Sequence, residues 1–201
     1  MTEQPTIYVV DDDQAVRDAL EALLGSVRLP VRSFPSGESF LAVADDRMRG
    51  CLLLDVRMPG MGGLEMQLKL RELGIFLPVI FITGHGDVPM AVRALKAGAA
   101  DFIEKPFNEQ QMLDRIQTCL EEDQKAWQAR QTRDAARACF GLLTDREAAV
   151  MELIAAGNHT KKIAAALDIK ERTVDVHRFN IMRKVGVRTM AELIQRWSLS
   201  R

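Results

Sequence analysis

Cysteine is scarce: the 201 residues contain three, Cys51, Cys119 and Cys139. An odd number without the paired spacing of a metal site argues against a disulfide framework or a zinc knot, and the three read as reduced, mostly buried thiols of a cytosolic protein. The N-terminus lacks a basic-then-apolar leader, and no apolar run approaches the length of a membrane span. The expectation is a soluble, cytoplasmic chain with no membrane partner. Also missing are internal repeats, low-complexity tracts and a glycine-rich ATP-binding loop, so a motor driven by its own ATPase is set aside. An excess of one charge is missing overall, because the net charge is only -1. The distribution is uneven, however. Residues 1–120 hold 12 Lys/Arg against 17 Asp/Glu, whereas residues 140–201 hold 11 against 7. An acidic front and a basic back suit different partners, the back a polyanion.

What is present is a 47% hydrophobic content, enough to bury a core, on a chain long enough for two small domains. Short apolar runs near 6–10, 30–34, 51–54, 78–82 and 101–103 alternate with segments of helical period near 15–24, 37–44, 64–72, 88–97 and from 108 onward. Five β-then-α units in a row predict an α/β domain over 1–120, a doubly wound five-stranded parallel sheet of order 2-1-3-4-5. The runs "CLLL" and "PVIFI" are apolar throughout, as central strands covered on both faces require. Residues 121–139, "EEDQKAWQARQTRDAARAC", carry no Gly or Pro and predict a helical linker.

From 140 to 201 the strand signals stop, and a small all-α bundle is expected. Thr144 with Glu147, and Thr189 with Glu192, have the spacing of capping boxes. Between them "TKKIAAALDIKERTVDVHRFNIMRKVG" gives two helical stretches joined by a turn at 168–170, a helix-turn-helix pattern.

The stretch "TIYVVDDDQAV" runs a strand directly into Asp11, Asp12 and Asp13. One aspartate caps the following helix; three like charges need a further reason. In a sheet of this order ligands sit beyond the carboxyl ends of the strands, where the order reverses. Strand one then presents the aspartates, strand three Asp55, strand four Thr83 and strand five Lys105. Clustered carboxylates call for a cation, and an all-oxygen site suits Mg²⁺. An aspartate can also accept a phosphoryl group when a metal and a fixed cation such as Lys105 offset the transferring charge, with the Thr83 hydroxyl placed to bond a phosphoryl oxygen. Asp13 reads as a cap or as an acid that supports the cluster from behind.

"VVDDD", "LLLDVRMPGMGG", "FITGHGDVPMAVRALKAGAADFIEKPF" and "LTDREAAVMELIAAG...TVDVHR" together resemble a bacterial two-component response regulator of the FixJ subgroup, a receiver domain joined to a LuxR-type DNA-binding domain. By that resemblance Asp55 is the phosphoacceptor and Asp11 and Asp12 are the acid pair. Asp12 and the Arg57 backbone carbonyl help hold Mg²⁺, Thr83 and Phe102 form a switch pair, and Lys105 contacts the phosphoryl group beside a cis peptide at Pro106. The resemblance further implies a sensor histidine kinase, promoter DNA and RNA polymerase as partners, a homodimer when phosphorylated, and gene activation. Arg57 and His85 overhang the pocket and could tune the lifetime of the phosphorylated state.

In a helix-turn-helix the second helix enters the major groove. The run 171–184 is therefore the candidate recognition helix, with Arg172, Asp175, Val176, Arg178 and Phe179 outward and Thr173 counted among its DNA contacts. Thr160, Lys161, Lys162, Arg183 and Lys184 are placed for phosphates, while Val174, Ile181 and Val185 face the core. His177 is a packing, phosphate-contact or base-reading residue. Asp175, Thr160 and Lys170 depart from the residues common in LuxR-type domains, which affects the operator and not the assignment. Two rivals belong to other classes. A Mg²⁺-dependent phosphohydrolase with an aspartate nucleophile would explain "VVDDD" but lacks the late acidic pair after the lysine and leaves Asp55 idle. An RNA-binding or protein-interaction module would account for the basic end alone.

Overall fold

Alternation along each strand builds the first unit, because successive side chains point to opposite faces of a sheet. The computed structural model of the protein describes residues 4–84 and 88–201. The first part runs β1 (Thr6–Val10), α1 (Gln14–Ser26), β2 (Val31–Phe34), α2 (Gly37–Leu41), β3 (Gly50–Asp55), α3 (Gly63–Glu72), β4 (Val79–Thr83), α4 (Val88–Lys96) and β5 (Asp101–Glu104). The strands are parallel in the order β2-β1-β3-β4-β5, as the sequence predicts. Tyr8, Val10, Leu52, Leu54, Val79 and Phe81 pack into a core on one face with Phe40, Met66 and Leu70. Ile7, Val9, Cys51, Leu53, Ile80 and Ile82 face the other way, onto Leu20, Leu24, Met112, Ile116 and Cys119. Every residue of β3 and β4 is buried, and each fully buried aliphatic side chain contributes about 1.5–3 kcal/mol. Cys51 and Cys119 are free thiols inside this second core.

A single helix, α5 (Glu109–Phe140), follows the sheet. The chain divides into two units, residues 1–127 and 128–201, and the division falls inside this helix. Before it, Asp123 is buried against Arg49, whose Nε and Nη2 lie 3.2 and 2.9 Å from Asp123 Oδ2. The same guanidinium donates to Gln124 Oε1 at 2.6 Å and lies 5.0 Å from the Trp127 ring centroid. Next to Arg49, Gly50 has φ +124°, and a Cβ there would sit 1.9 Å from the Thr6 carbonyl oxygen, so only glycine lets β3 start against β1.

The second unit contains α6 (Asp145–Ala155), α7 (Thr160–Leu167), α8 (Glu171–Val185) and α9 (Met190–Leu199) around Val150, Met151, Ile154, Ile163, Val174, Ile181, Val185 and Leu193. Thr144 and Glu147 form the expected capping box of α6. At α9 only half of the device forms. Thr189 accepts from Glu192 N, while the Glu192 carboxylate accepts from Arg188 N. Among the described residues no helix is long and apolar enough to cross a membrane.

Candidate functional site

Strand pairing decides which side chains meet at the carboxyl edge of the sheet. β1 and β3 are neighbours with Val10 opposite Leu54, so Asp11 and Asp55 emerge side by side. Both are buried, 2% and 7% exposed. Lys105, which follows β5, reaches them both: its Nζ lies 2.6 Å from Asp11 Oδ2 and 3.1 Å from Asp55 Oδ1. The other oxygen of Asp55, Oδ2, accepts from Arg57 N at 2.7 Å, and Asp11 Oδ1 accepts from Asp13 N at 2.9 Å. Gly63 opens α3 so close to this edge that a Cβ would lie 2.3 Å from the Asp55 carbonyl oxygen. The Lys105–Pro106 bond is cis, and Lys105 N donates to the Thr83 carbonyl at 2.7 Å.

One ammonium thus serves two carboxylates. Burial pushes the Asp55 carboxyl above the usual range, and the charge of Asp11 adds to that; the hydrogen bond and charge of Lys105 work against it without prevailing. For Lys105 burial acts in the opposite direction, but its hydrogen bonds to Asp11 and Asp55 outweigh it and raise its value. The two partners differ because Lys105 gains from two anions, while Asp55 shares one cation with a competing anion.

Asp12, also proposed for this cluster, is exposed, and Asp13 caps α1 by accepting from Ala15 N at 2.9 Å. Among the described residues no three acids, histidines or cysteines are gathered closely enough to hold a metal by themselves. The donor set nevertheless fits Mg²⁺. It offers hard oxygens from two buried carboxylates, a third acid next in the chain and the carbonyl of Arg57, and Mg²⁺ commonly keeps several waters beside one or two carboxylates. Thr83 is buried at the end of β4; Phe102 is partly buried and packs against the same core as Met90. Arg57 is exposed, and His85 lies outside the described residues. Arg17, absent from the expected set, joins the site: its Nη1 donates to the Asp11 carbonyl at 2.6 Å. Its signal is positional, since Arg17 stands in line with Leu20 and Leu24 on the buried side of α1.

In the second unit α7 ends at Asp168 in the left-handed region (φ 52°), and α8 starts at Glu171 after Lys170, which supplies no side-chain cap. Val174, Ile181 and Val185 are buried, so the opposite side of α8 is outward. Arg172, Asp175, Val176, Phe179 and Arg183 are exposed at spacings of three and four, which puts them on one face. Lys161 and Lys162 are exposed at the start of α7, whereas Thr160, Thr173 and His177 are partly buried. Two arginine and lysine positions behave differently from the expectation. Arg178 Nη1 donates to Thr160 Oγ1 at 2.7 Å, tying α8 to α7 instead of extending outward. Lys184 Nζ lies 2.6 Å from Glu147 Oε2 and 3.1 Å from the Leu142 carbonyl oxygen, so its charge is engaged within the bundle.

Comparison with known proteins matches the two parts of the chain separately and then together. Residues 7–117 match the response regulator receiver domain, and residues 141–197 match the luxR family of bacterial regulatory proteins. The response regulator protein TmoT of Ectopseudomonas mendocina is 46% identical over 194 residues, 96% of this chain and 88% of that protein. The transcriptional regulatory protein FixJ of Rhizobium meliloti is 42% identical over 190 residues, 94% of this chain and 93% of that protein. Among solved structures, the response regulator StyR is 45% identical with a TM-score of 0.85, covering 98% of this chain and 99% of that one. With a receiver-domain match over its first part, a luxR-family match over its last and full-length relatives that carry both, the chain belongs to the response regulators that join a receiver domain to a LuxR-type DNA-binding domain.

Proposed function

We propose that Asp55 is the phosphoacceptor of a transcriptional regulator and that its modification controls binding to promoter DNA. The observation that carries this reading is the shared contact of Lys105 with Asp11 and Asp55 at the edge where the sheet order reverses. In the transfer, an oxygen of Asp55 forms a bond to phosphorus as the P–N bond of a phosphohistidine on a sensor kinase breaks, and the imidazole leaves. Asp11, Asp12, Asp55 and the Arg57 carbonyl would hold Mg²⁺, which when bound offsets the charge on the phosphoryl oxygens. Lys105 exchanges its contact with the Asp55 carboxylate for one with the phosphoryl group. Thr83 supplies its hydroxyl to a phosphoryl oxygen, and Phe102 packs inward behind it, biasing the surface of α4 and β5 between two arrangements.

On this reading residues 1–120 receive the signal, 121–139 link, and 140–201 bind double-stranded DNA. Arg172, Asp175, Val176 and Phe179 face bases, while Lys161, Lys162 and Arg183 face phosphates. Thr160, Arg178 and Lys184 hold the reading helix in place, and Thr173 and His177 flank it. The phosphorylated protein pairs into a homodimer in the cytoplasm, engages two half-sites with the gain of avidity, and recruits RNA polymerase as an activator. It carries one phosphoryl group as a signal and does not turn over substrates as an enzyme. Incubation with acetyl phosphate and Mg²⁺, followed by intact-mass and peptide analysis, tests the acceptor. The expected result is one added phosphoryl group on residue 55, absent in Asp55→Asn. Modification of the variant to the same extent would refute it.

A further inference from the structure

The outward face of α8 is apolar at its middle. Val176 is 52% exposed and Phe179 65% exposed, although Val174, Ile181 and Val185 already fill the core side of the helix. Arg172 and Arg183 stand at the two ends of the same face. Arg178, the cation nearest in sequence to Phe179, is occupied by Thr160. A face that enters the major groove with its cations only at its ends meets phosphates there and base edges at its centre. The one apolar group on a major-groove base edge is the 5-methyl of thymine. Residues three apart on a helix are separated by about 4.5 Å along its axis, close to the roughly 3.4 Å between successive base pairs.

We propose that Val176 and Phe179 read the 5-methyl groups of two neighbouring T·A pairs in each half-site, and that Phe179 is the principal determinant of that choice. Asp175 beside them can accept only from a base amino group, which adenine and cytosine both present in the major groove, so the choice of T·A rests on the two apolar side chains. The proposal rests on the DNA-binding reading of α8 and adds the base chemistry to it.

The test uses the full-length protein, treated with acetyl phosphate and Mg²⁺, to select binders from a duplex pool with a randomised centre. Each thymine of the selected duplex is then replaced in turn by deoxyuridine, which removes only the methyl group. Withdrawing one buried methyl weakens binding about fourfold at each of two adjacent positions. In Phe179→Ala the thymine and deoxyuridine duplexes bind alike at one of these positions; in Val176→Ala they bind alike at the other. Indifference of the wild-type protein to deoxyuridine at every position would overturn the proposal while leaving DNA binding intact. So would a selected sequence without thymine, or a Phe179→Ala protein that keeps the full difference. Failure to retain any duplex at low salt would overturn the DNA-binding reading itself, and the proposal with it.

Discussion

In the acidic pocket the competition between Asp11 and Asp55 for one lysine has a thermodynamic sign. Burial raises the folded-state value of Asp55 above that of an unfolded aspartate, so its ionised form opposes folding. The penalty is absent below the unfolded value, grows as pH rises from there, and is complete above the folded value. Asp55→Asn is therefore more stable than wild type near neutrality in metal-free buffer, and the advantage fades in acid. Thermal unfolding of both proteins across that window measures it, and an advantage that persisted unchanged in acid would contradict the assignment. The places of Asp11, Asp55, Thr83 and Lys105 were legible because each ends a strand or directly follows one, and strand order alone brings strand ends together. Arg178 and Lys184 were not, because their partners, Thr160 and Glu147, are chosen by packing between helices that no spacing rule encodes.

Among the elements, α5 is tied down by a contact distant in sequence. Arg49, just before β3, and Asp123, in the helix, are 5% and 7% exposed and carry opposite charge. Breaking such a pair leaves a buried charge alone, so Asp123→Ala is expected to destabilise the protein by about 3–5 kcal/mol, measured by chemical denaturation. Replacing both groups, as in Arg49→Met with Asp123→Leu, restores most of that, since the methionine keeps an apolar stem against Trp127; equal losses in the two variants would show that the charges are not what matters. The strands were read from their apolar runs to within a residue or two. Helix α2 ends at Leu41, short of the expected 44, because Val43 N and Ala44 N bond back to Phe40 and Leu41 in tight turns instead of continuing the α-helical ladder. The half-formed cap of α9 has a similar origin: the Glu192 side chain had two backbone amides within reach and took Arg188.

For the whole molecule, the charge asymmetry of the sequence maps onto a receiver unit whose pocket holds anions close together and a helical unit with Arg172 and Arg183 outward on α8. The change of hydrophobic period near 140 accompanies the passage from the α/β unit to the all-helical one, which divide at residues 127 and 128 within α5. The continuity of α5 across both halves was suggested by the lack of Gly and Pro in 121–139. A phosphoryl group at Asp55 acts on DNA affinity only through a difference in free energy between two arrangements, and couplings of this kind typically amount to about 5- to 150-fold in affinity. The decisive measurement is fluorescence anisotropy of a selected duplex titrated with the full-length protein, before and after treatment with acetyl phosphate and Mg²⁺. Treatment is predicted to tighten wild-type binding at least about fivefold and to leave Asp55→Asn unchanged. Equal tightening of the variant, or no tightening of a wild-type protein shown to be phosphorylated at residue 55, would contradict the account.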